Sequence, residues 1–311
     1  MKKHFNIITN LESGAGLRCE YEILRVILES AGHRVMGVDF RQAGQAPSAD
    51  INLFLETVVE RMFGAAIQNW VMPNPEFWLE EYQQSLPRLS RVLCKTQHAF
   101  KLFQDLAGDR AQYVGFMSRD LLQSEVRRKP KFLHLAGNSP FKNTEIVLRA
   151  WRKLPFQLTL VSGLECFRQQ ASKLENVRIY DRVSEEKLRY LMNSRQFHLC
   201  PSQYEGFGHY IHEALSVGAI VLTIDVPPMN ELGLPAELLM PCIPDRQLRL
   251  ATLHKITHEV LRNRVQTIVD LSSRRLREFS RRARDLFEKE CEEFPRRLLA
   301  VVDSKPSHQL A

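Results

Sequence analysis

Two glutamates, Glu205 and Glu213, stand with seven residues between them, and Gly206, Phe207 and Gly208 follow the first directly. Glycines at the start of a helix let an anion such as a pyrophosphate approach the backbone N–H groups of the first turn, which are unpaired and lie at the positive end of the helix dipole. Carboxylates serve a different purpose, because they accept hydrogen bonds from hydroxyls. Glu213 falls about five residues into the helix, roughly 8 Å along its axis, and so reaches another part of the same ligand than Glu205 does. The pattern fits a ligand with sugars on both sides of a phosphate. His209, His212, Glu213 and Ser216 recur at helical spacing as a polar stripe, with Ile211, Ala214, Leu215 and Gly218 as the apolar one. One face is expected to pack and the other to meet the ligand.

The elements that must hold these residues follow from the surrounding pattern. Residues 197–200 form a short apolar strand, a loop leads to a helix over about 209–217, Gly218 stops it, and 219–225 is the next strand. Upstream, 131–137 is a strand, 138–144 a loop, and a helix runs to about Arg152; further strands lie at 156–162 and 177–180. Ser184 caps a helix with two acids in its first turn. The first part of the chain has the same grammar. Residues 5–9, 34–39, 50–56, 65–72, 91–95 and 111–116 read as strands, with a helix over about 17–30 and another capped by Thr96. Gly14 and Gly16, in the first strand-to-helix loop, lack the third glycine of a dinucleotide fingerprint. Pro73 and Pro75 end the 65–72 strand in a loop at its carboxyl edge, where α/β proteins place ligands, so Asn74 and Glu76 are candidate contacts. Trp70, Phe77 and Trp78 suit the core or a stacked ring. His98, in the first turn of its helix, is favoured in the neutral form and could bond a sugar hydroxyl. Residues 118–130 read as a polar linker, dividing the chain into domains 1–126 and 127–311. After a short strand around 237–240, helices are expected to the end.

Pro201-Ser202, Glu205-Gly-Phe-Gly208, Glu213-Ala214, Gly218-Ala-Ile-Val221 and Glu231, in this strand–helix context, resemble the nucleotide-sugar site of the retaining GT-B glycosyltransferases of family 4. The resemblance implies a GT-B fold, two Rossmann-like domains facing across a cleft, and transfer of a sugar from a nucleotide diphosphate sugar to an acceptor hydroxyl with retention of configuration. It gives Glu205, Gly206, Phe207 and Gly208 to the transferred sugar and Glu213 to the nucleotide ribose. Lys142 matches the family's lysine that neutralises the diphosphate. The family usually has Arg beside it, where this chain has Asn138, so Lys142 acts with the helix dipole alone or with another base such as Arg182. Residues 181–184 fall where relatives hold the base. The loop of Gly14 and Gly16 matches one that faces the cleft between domains in such enzymes, which makes the two glycines candidate contacts to the acceptor or donor sugar. No resident cofactor is implied; the nucleotide sugar, of UDP or GDP type, is a co-substrate. No Asp-x-Asp motif calls for a metal.

The whole chain sets outer bounds. Its 311 residues suffice for two domains, and 44% hydrophobic with 25% charged residues describes an ordinary globular protein. No apolar run approaches the ~18–20 residues of a membrane span, and a cytoplasmic protein is expected. Six scattered cysteines read as buried reduced thiols. The net charge is +7, yet residues through Glu125 carry 13 Lys and Arg against 15 Asp and Glu, leaving +9 for the rest. That excess favours an anionic partner. It peaks at 272–284, either a solvated amphipathic helix or a contact for an anionic surface or nucleic acid. Two other functions stay open: a DNA glycosyltransferase acting on a hydroxymethylated base, and an inactive nucleotide-sugar or polysaccharide binding protein.

Overall fold

A computed structural model describes residues 2–12, 15–41, 44 and 46–304. By contacts the chain divides into two units: Met1–Ser118 with Gln247–Ala251 and Glu290–Ala311, and Arg119–Arg246 with Thr252–Lys289. The sequence reading placed the division at 126/127 and kept the whole C-terminal stretch in the second domain. The contacts instead group its last part with the first unit.

Unit 1 contains β1 (His4–Thr9), α1 (Ala15–Ser30), β2 (Arg34–Asp39), β3 (Ala49–Leu55), β4 (Ala66–Met72), α2 (Glu80–Ser85), β5 (Arg91–Cys94), α3 (Gln97–Ala107) and β6 (Ala111–Tyr113). The strands form one sheet in the order β2-β1-β3-β4-β5-β6, with parallel pairs throughout. Strands covered on both faces need near-continuous apolar runs, which is why β1, β3 and β4 carry Phe5, Ile7, Ile8, Ile51, Leu53, Phe54, Trp70 and Val71, all buried. A polar ladder fixes their register. Asn6 Nδ2 donates to Asn52 Oδ1 (3.0 Å) and Asn52 Nδ2 to Asn69 Oδ1 (3.0 Å), linking residues that face each other across β1, β3 and β4. A one-residue slip would leave these buried amides unpaired.

Unit 2 opens with β7 (Lys129–Gly137), α4 (Thr144–Trp151), β8 (Leu158–Ser162), α5 (Glu165–Ala171), β9 (Val177–Tyr180), α6 (Glu185–Ser194), β10 (Arg195–Cys200), α7 (His209–Ser216), β11 (Ile220–Ile224) and β12 (Leu239–Met240). Its sheet, again parallel, has the order β12-β11-β10-β7-β8-β9. The chain thus builds one side of the sheet from β7 to β9 and the other from β10 to β12. The order reverses between β7 and β10, and such a switch point is where open α/β sheets receive ligands. The loops after these two strands carry Lys142 and Glu205.

The remaining elements are β13 (Ile243–Leu248), β14 (Ala251–Lys255), α8 (His258–Val269) and α9 (Ser273–Asp303). The two-stranded β13–β14 sheet was not expected, because β13 is exposed along its length and has no apolar alternation to announce it. The final part of α9 packs within unit 1, where Phe294 meets Phe116 at a 4.5 Å ring separation. Arg91 Nη2 donates to Ser304 O at 2.8 Å.

The stretch read as a linker meets the boundary between the units at Ser118 and Arg119. Residues 114–128 have no regular secondary structure apart from a turn, yet several are firmly held. Leu121 N donates to Ser216 Oγ (3.1 Å), Asn193 Nδ2 donates to Leu121 O (2.8 Å), and Gln123 N donates to Asn193 Oδ1 (2.8 Å). The stretch's polar groups are bonded to α6 and α7.

Candidate functional site

The loop after β7 is tied to the loop after β10 by backbone and side-chain bonds. Gln203 N donates to Phe141 O (2.8 Å), and Asn143, in the left-handed region at φ 51°, sends Nδ2 to Pro201 O (2.7 Å). Beneath them lies His134 of β7. Its Nδ1 bonds Leu199 O of β10 (2.9 Å) and its Nε2 bonds Thr144 Oγ1 of α4 (3.0 Å). A carbonyl can only accept, so the proton is on Nδ1 and the Thr144 hydroxyl donates to Nε2. Burial pushes the pKa of this imidazole down to about 4, and it stays neutral. One histidine therefore joins the three elements around the switch point.

These bonds place Lys142 against Glu205. Lys142 Nζ forms an ion pair with Glu205 Oε1 and lies 3.5 Å from the centre of the Tyr210 ring. Ser202 Oγ donates to the same Oε1 at 2.5 Å. Its single proton is used there, so the Tyr210 hydroxyl must donate to Ser202. Burial raises the Tyr210 pKa well above its ordinary value, which keeps the phenol protonated for that task. Glu205 Oε2 makes no hydrogen bond or ion pair among the described residues.

Gly208 caps α7 in the left-handed region (φ 87°, ψ 57°). The N–H groups of Ile211 and His212 both donate to Gly208 O (2.8 and 3.3 Å), so the amides before them lie outside the helix ladder at its positive end. A Cβ at 208 would sit 3.2 Å from Glu205 Cγ and 3.3 Å from Ile211 Cδ1. Gly208→Ala should therefore lower stability by about 1–2 kcal/mol through its backbone alone and displace Glu205 besides. Urea unfolding would measure the first effect, and donor affinity per folded molecule the second. Unchanged donor affinity would remove Gly208 from the site.

The polar stripe on α7 is a partial correction. His212, Glu213 and Ser216 are buried. Phe207 stacks on His212 with ring centres 3.9 Å apart, and Ser216 holds the backbone at Leu121. Glu213 Oε1 accepts from Arg119 Nε (3.2 Å) and Nη2 (3.0 Å), while Arg119 Nη1 reaches Glu185 at 2.7 Å. Oε2 of Glu213 is unengaged among the described residues. Each glutamate thus has one oxygen fixed by a cation and one left to accept from a hydroxyl. Arg119 was missed because a lone arginine in an irregular stretch carries no local signal.

The remaining candidates have plain positions. Asn138 is exposed after Gly137, and its Oδ1 lies 1.9 Å from where a Cβ on Gly163 would be, so a side chain at 163 would displace the Asn138 amide. Arg182 is exposed in the loop between β9 and α6, and Asp181 pairs with Arg168 (3.0 Å). In unit 1, Gly16 lies in the first turn of α1, and Gly14 falls outside the described residues. His98 is half-buried in the first turn of α3, whose cap is Thr96 Oγ1 accepting from Ala99 N at 3.0 Å. Trp70 and Trp78 are core residues, and Phe77 is exposed. Asn74 is buried and donates to Glu56 Oε2 at 2.9 Å; Glu76 is half-buried. Glu56, with its backbone at φ 66°, has its pKa raised by burial, and near it Lys95 and Glu20 form a buried pair at 2.5 Å. The sequence reading did not single out these last three. Cys19, Cys94 and Cys200 are buried as expected, but Cys166 is exposed.

Two parallel-sheet Rossmann-like units define the fold as GT-B, and residues 121–239 match the family described as glycosyl transferases group 1. Among characterised sequences, the chain is similar to the GDP-mannose:cellobiosyl-diphosphopolyprenol alpha-mannosyltransferase of Xanthomonas oryzae pv. oryzae (strain PXO99A), 41% identical over 113 residues. That match takes in 36% of this chain and only 26% of the relative. Among solved structures, a glycosyltransferase from Rickettsia africae superposes with a TM-score of 0.75 at 11% identity, covering 96% of this chain and 97% of that one. The sucrose-phosphate synthase of Thermosynechococcus elongatus gives 0.75 at 13% identity, covering 97% and 98%. Among the described residues no helix is long and apolar enough to cross a membrane.

Proposed function

We propose that the protein is a cytoplasmic glycosyltransferase that moves a sugar from a nucleotide diphosphate sugar to an acceptor hydroxyl with retention of configuration, without a resident cofactor or metal. The observation that carries this reading is the meeting of Lys142 and Glu205 at the switch point, over the start of α7, with one oxygen of Glu205 and one of Glu213 unengaged. The diphosphate would lie on the α7 N-terminal amides, with Lys142 turning part of its charge from Glu205 to the phosphate. Glu213 Oε2 would accept from the ribose and Glu205 Oε2 from the sugar. In the reaction the bond from the sugar C1 to the phosphate oxygen breaks and the acceptor oxygen bonds C1 on the same face. The acceptor proton passes to the departing diphosphate. Lys142 and the helix dipole stabilise the charge that develops on that leaving group, and Glu205 the positive charge on the sugar.

The test is thermal unfolding with a panel of GDP, UDP and ADP sugars, beside a Glu213→Ala variant, followed by nucleotide release for the donor that shifts the melt. GDP-mannose goes first, because the similar mannosyltransferase is named for it. A donor at ~100 times its Kd stabilises by about 2.7 kcal/mol, a shift of a few degrees at this size. The expected result is a shift with one donor that is lost in the variant. If no donor shifts the melt or releases nucleotide, the reading fails.

A further inference from the structure

We propose that a basic pocket in unit 2, where α9 packs on the C-terminal end of α7, binds a phosphate group, either of a lipid headgroup or of a free phosphorylated ligand. The pocket has a volume of about 440 Å3 and is lined by Arg128, Arg277, Arg281 and Arg284 with no acidic side chain. Ser280 and Gly218 also line it. A side chain at 218 would stand 3.2 Å from Ser280 O and 3.7 Å from Arg128 Nη1, and the position is left-handed at φ 63°.

The four arginines are not equivalent. Arg284 is neutralised by Asp120 (2.6 Å) and Glu288 (2.8 Å), and it also caps Ser216 O. Among the described residues Arg128 donates only to neutral groups, Gly218 O (2.6 Å), Val217 O and Ser280 Oγ (2.7 Å). Capping the carbonyls at the negative end of α7 accounts for the position of both. It does not account for Arg277 and Arg281. These two lie one turn apart on α9, exposed, without a carboxylate partner among the described residues. The nearest acid in sequence, Glu278, is taken by Arg274 (3.2 Å) and Arg275 (3.1 Å). Like charges at i and i+4 repel, and here Arg128, a third unneutralised guanidinium, adds to the repulsion. An anion between them removes the repulsion and gains paired N–H donors in the geometry that guanidinium offers to phosphate. Exposed Leu122 on the rim suits a lipid, while the pocket volume also admits a small phosphorylated molecule. Glu205 lies before the opposite end of α7, some eight helical residues or about 12 Å away, so the inference does not depend on the donor site.

The test compares the full chain with an Arg277→Glu/Arg281→Glu variant at low salt. Both proteins carry Lys142→Ala, which weakens anion binding at the donor site and leaves whatever remains there equal in the two. One arm measures co-sedimentation with phosphatidylcholine vesicles, plain and with phosphatidylglycerol added. The other measures melting with inorganic pyrophosphate and competition of pyrophosphate against the vesicles. The expected result is binding in at least one arm that weakens about thirtyfold or more in the variant, each basic residue near an anionic surface being worth about a factor of five. Vesicle binding that pyrophosphate does not displace identifies a lipid headgroup. A melt shift with displacement identifies a free phosphorylated ligand. Absence of binding in both arms, or binding that the variant retains, overturns the proposal.

Discussion

Lys142→Ala should lower the turnover of whichever donor proves productive by about 10²–10³, the loss seen when one preorganised stabiliser of developing charge is removed. The expected size follows from position. Lys142 Nζ sits on the Tyr210 ring and against Glu205, in the loop that flanks the switch point, and neither Asn138 beside it nor the exposed Arg182 pairs with Glu205. The lysine is paired with Glu205, and its charge becomes available to a diphosphate only by sharing. The variant leaves Glu205 bonded to Ser202 through the same oxygen, so the loop keeps part of its anchoring. The ion pair is mostly buried, which makes a stability loss of about 1–3 kcal/mol the companion effect. Nucleotide release per folded molecule separates the two effects. Lys142→Arg should restore less than half of the activity, because a wide planar guanidinium does not fit the enclosed place that the compact ammonium takes between Tyr210 and Glu205. Turnover of the alanine variant within a few-fold of the parent would mean that Lys142 only braces the loop.

The sequence announced the parts of this protein whose signals are local. The central strands are buried, so β1, β3, β4 and β11 are rich in apolar residues, and α7 begins after a glycine and ends just before one. The Glu205-to-Glu213 spacing is legible for the same reason: the chemistry, the caps and the helix period fall within a dozen residues. What could not be read depends on partners far away in the chain. Arg119 is one residue of an irregular polar stretch until the fold brings Glu213, 94 residues on, to within 3.0 Å. The same stretch looked like a linker because hydrogen bonds to Ser216 and Asn193 leave no trace in its composition. His212 and Ser216 had the spacing of a ligand-facing stripe, but spacing says only that residues share a face. Phe207 and Leu121 determine what that face meets. The β13–β14 pair lacks apolar alternation because β13 buries almost nothing.

Stability should fall steeply below pH 6.5, well before the paired carboxylates begin to protonate. His134 and His198 are fully enclosed, and burial lowers their pKa values to about 4 and about 3. His198 bonds Met192 O through Nε2 at 3.0 Å, as His134 bonds Leu199 O, so each ring is held neutral with one N–H donated to a carbonyl. In the unfolded chain a histidine titrates near 6.5, so as the pH drops the unfolded state takes up these protons first. Their contribution is whole above 6.5 and is lost downward to the folded pKa values, at about 1.4 kcal/mol per pH unit for each ring and about 2.7 for the pair. Two units of acidification would then consume a large part of a typical 5–15 kcal/mol. Glu56 works in the opposite sense, since its raised pKa lets the folded state take up a proton first. Carboxylates with lowered values, such as Asp39 at about 2, act only at lower pH. Urea unfolding at half-unit steps from pH 7.5 to 5 gives the slope directly. His134→Asn keeps an N–H donor that does not titrate, and below pH 6.5 it should reduce that slope by about 1.4 kcal/mol per pH unit whatever it does to stability at pH 7.5. A slope unchanged in the variant would mean that His134 is not the group being charged, and that the bonds it makes between β7, β10 and α4 survive acid.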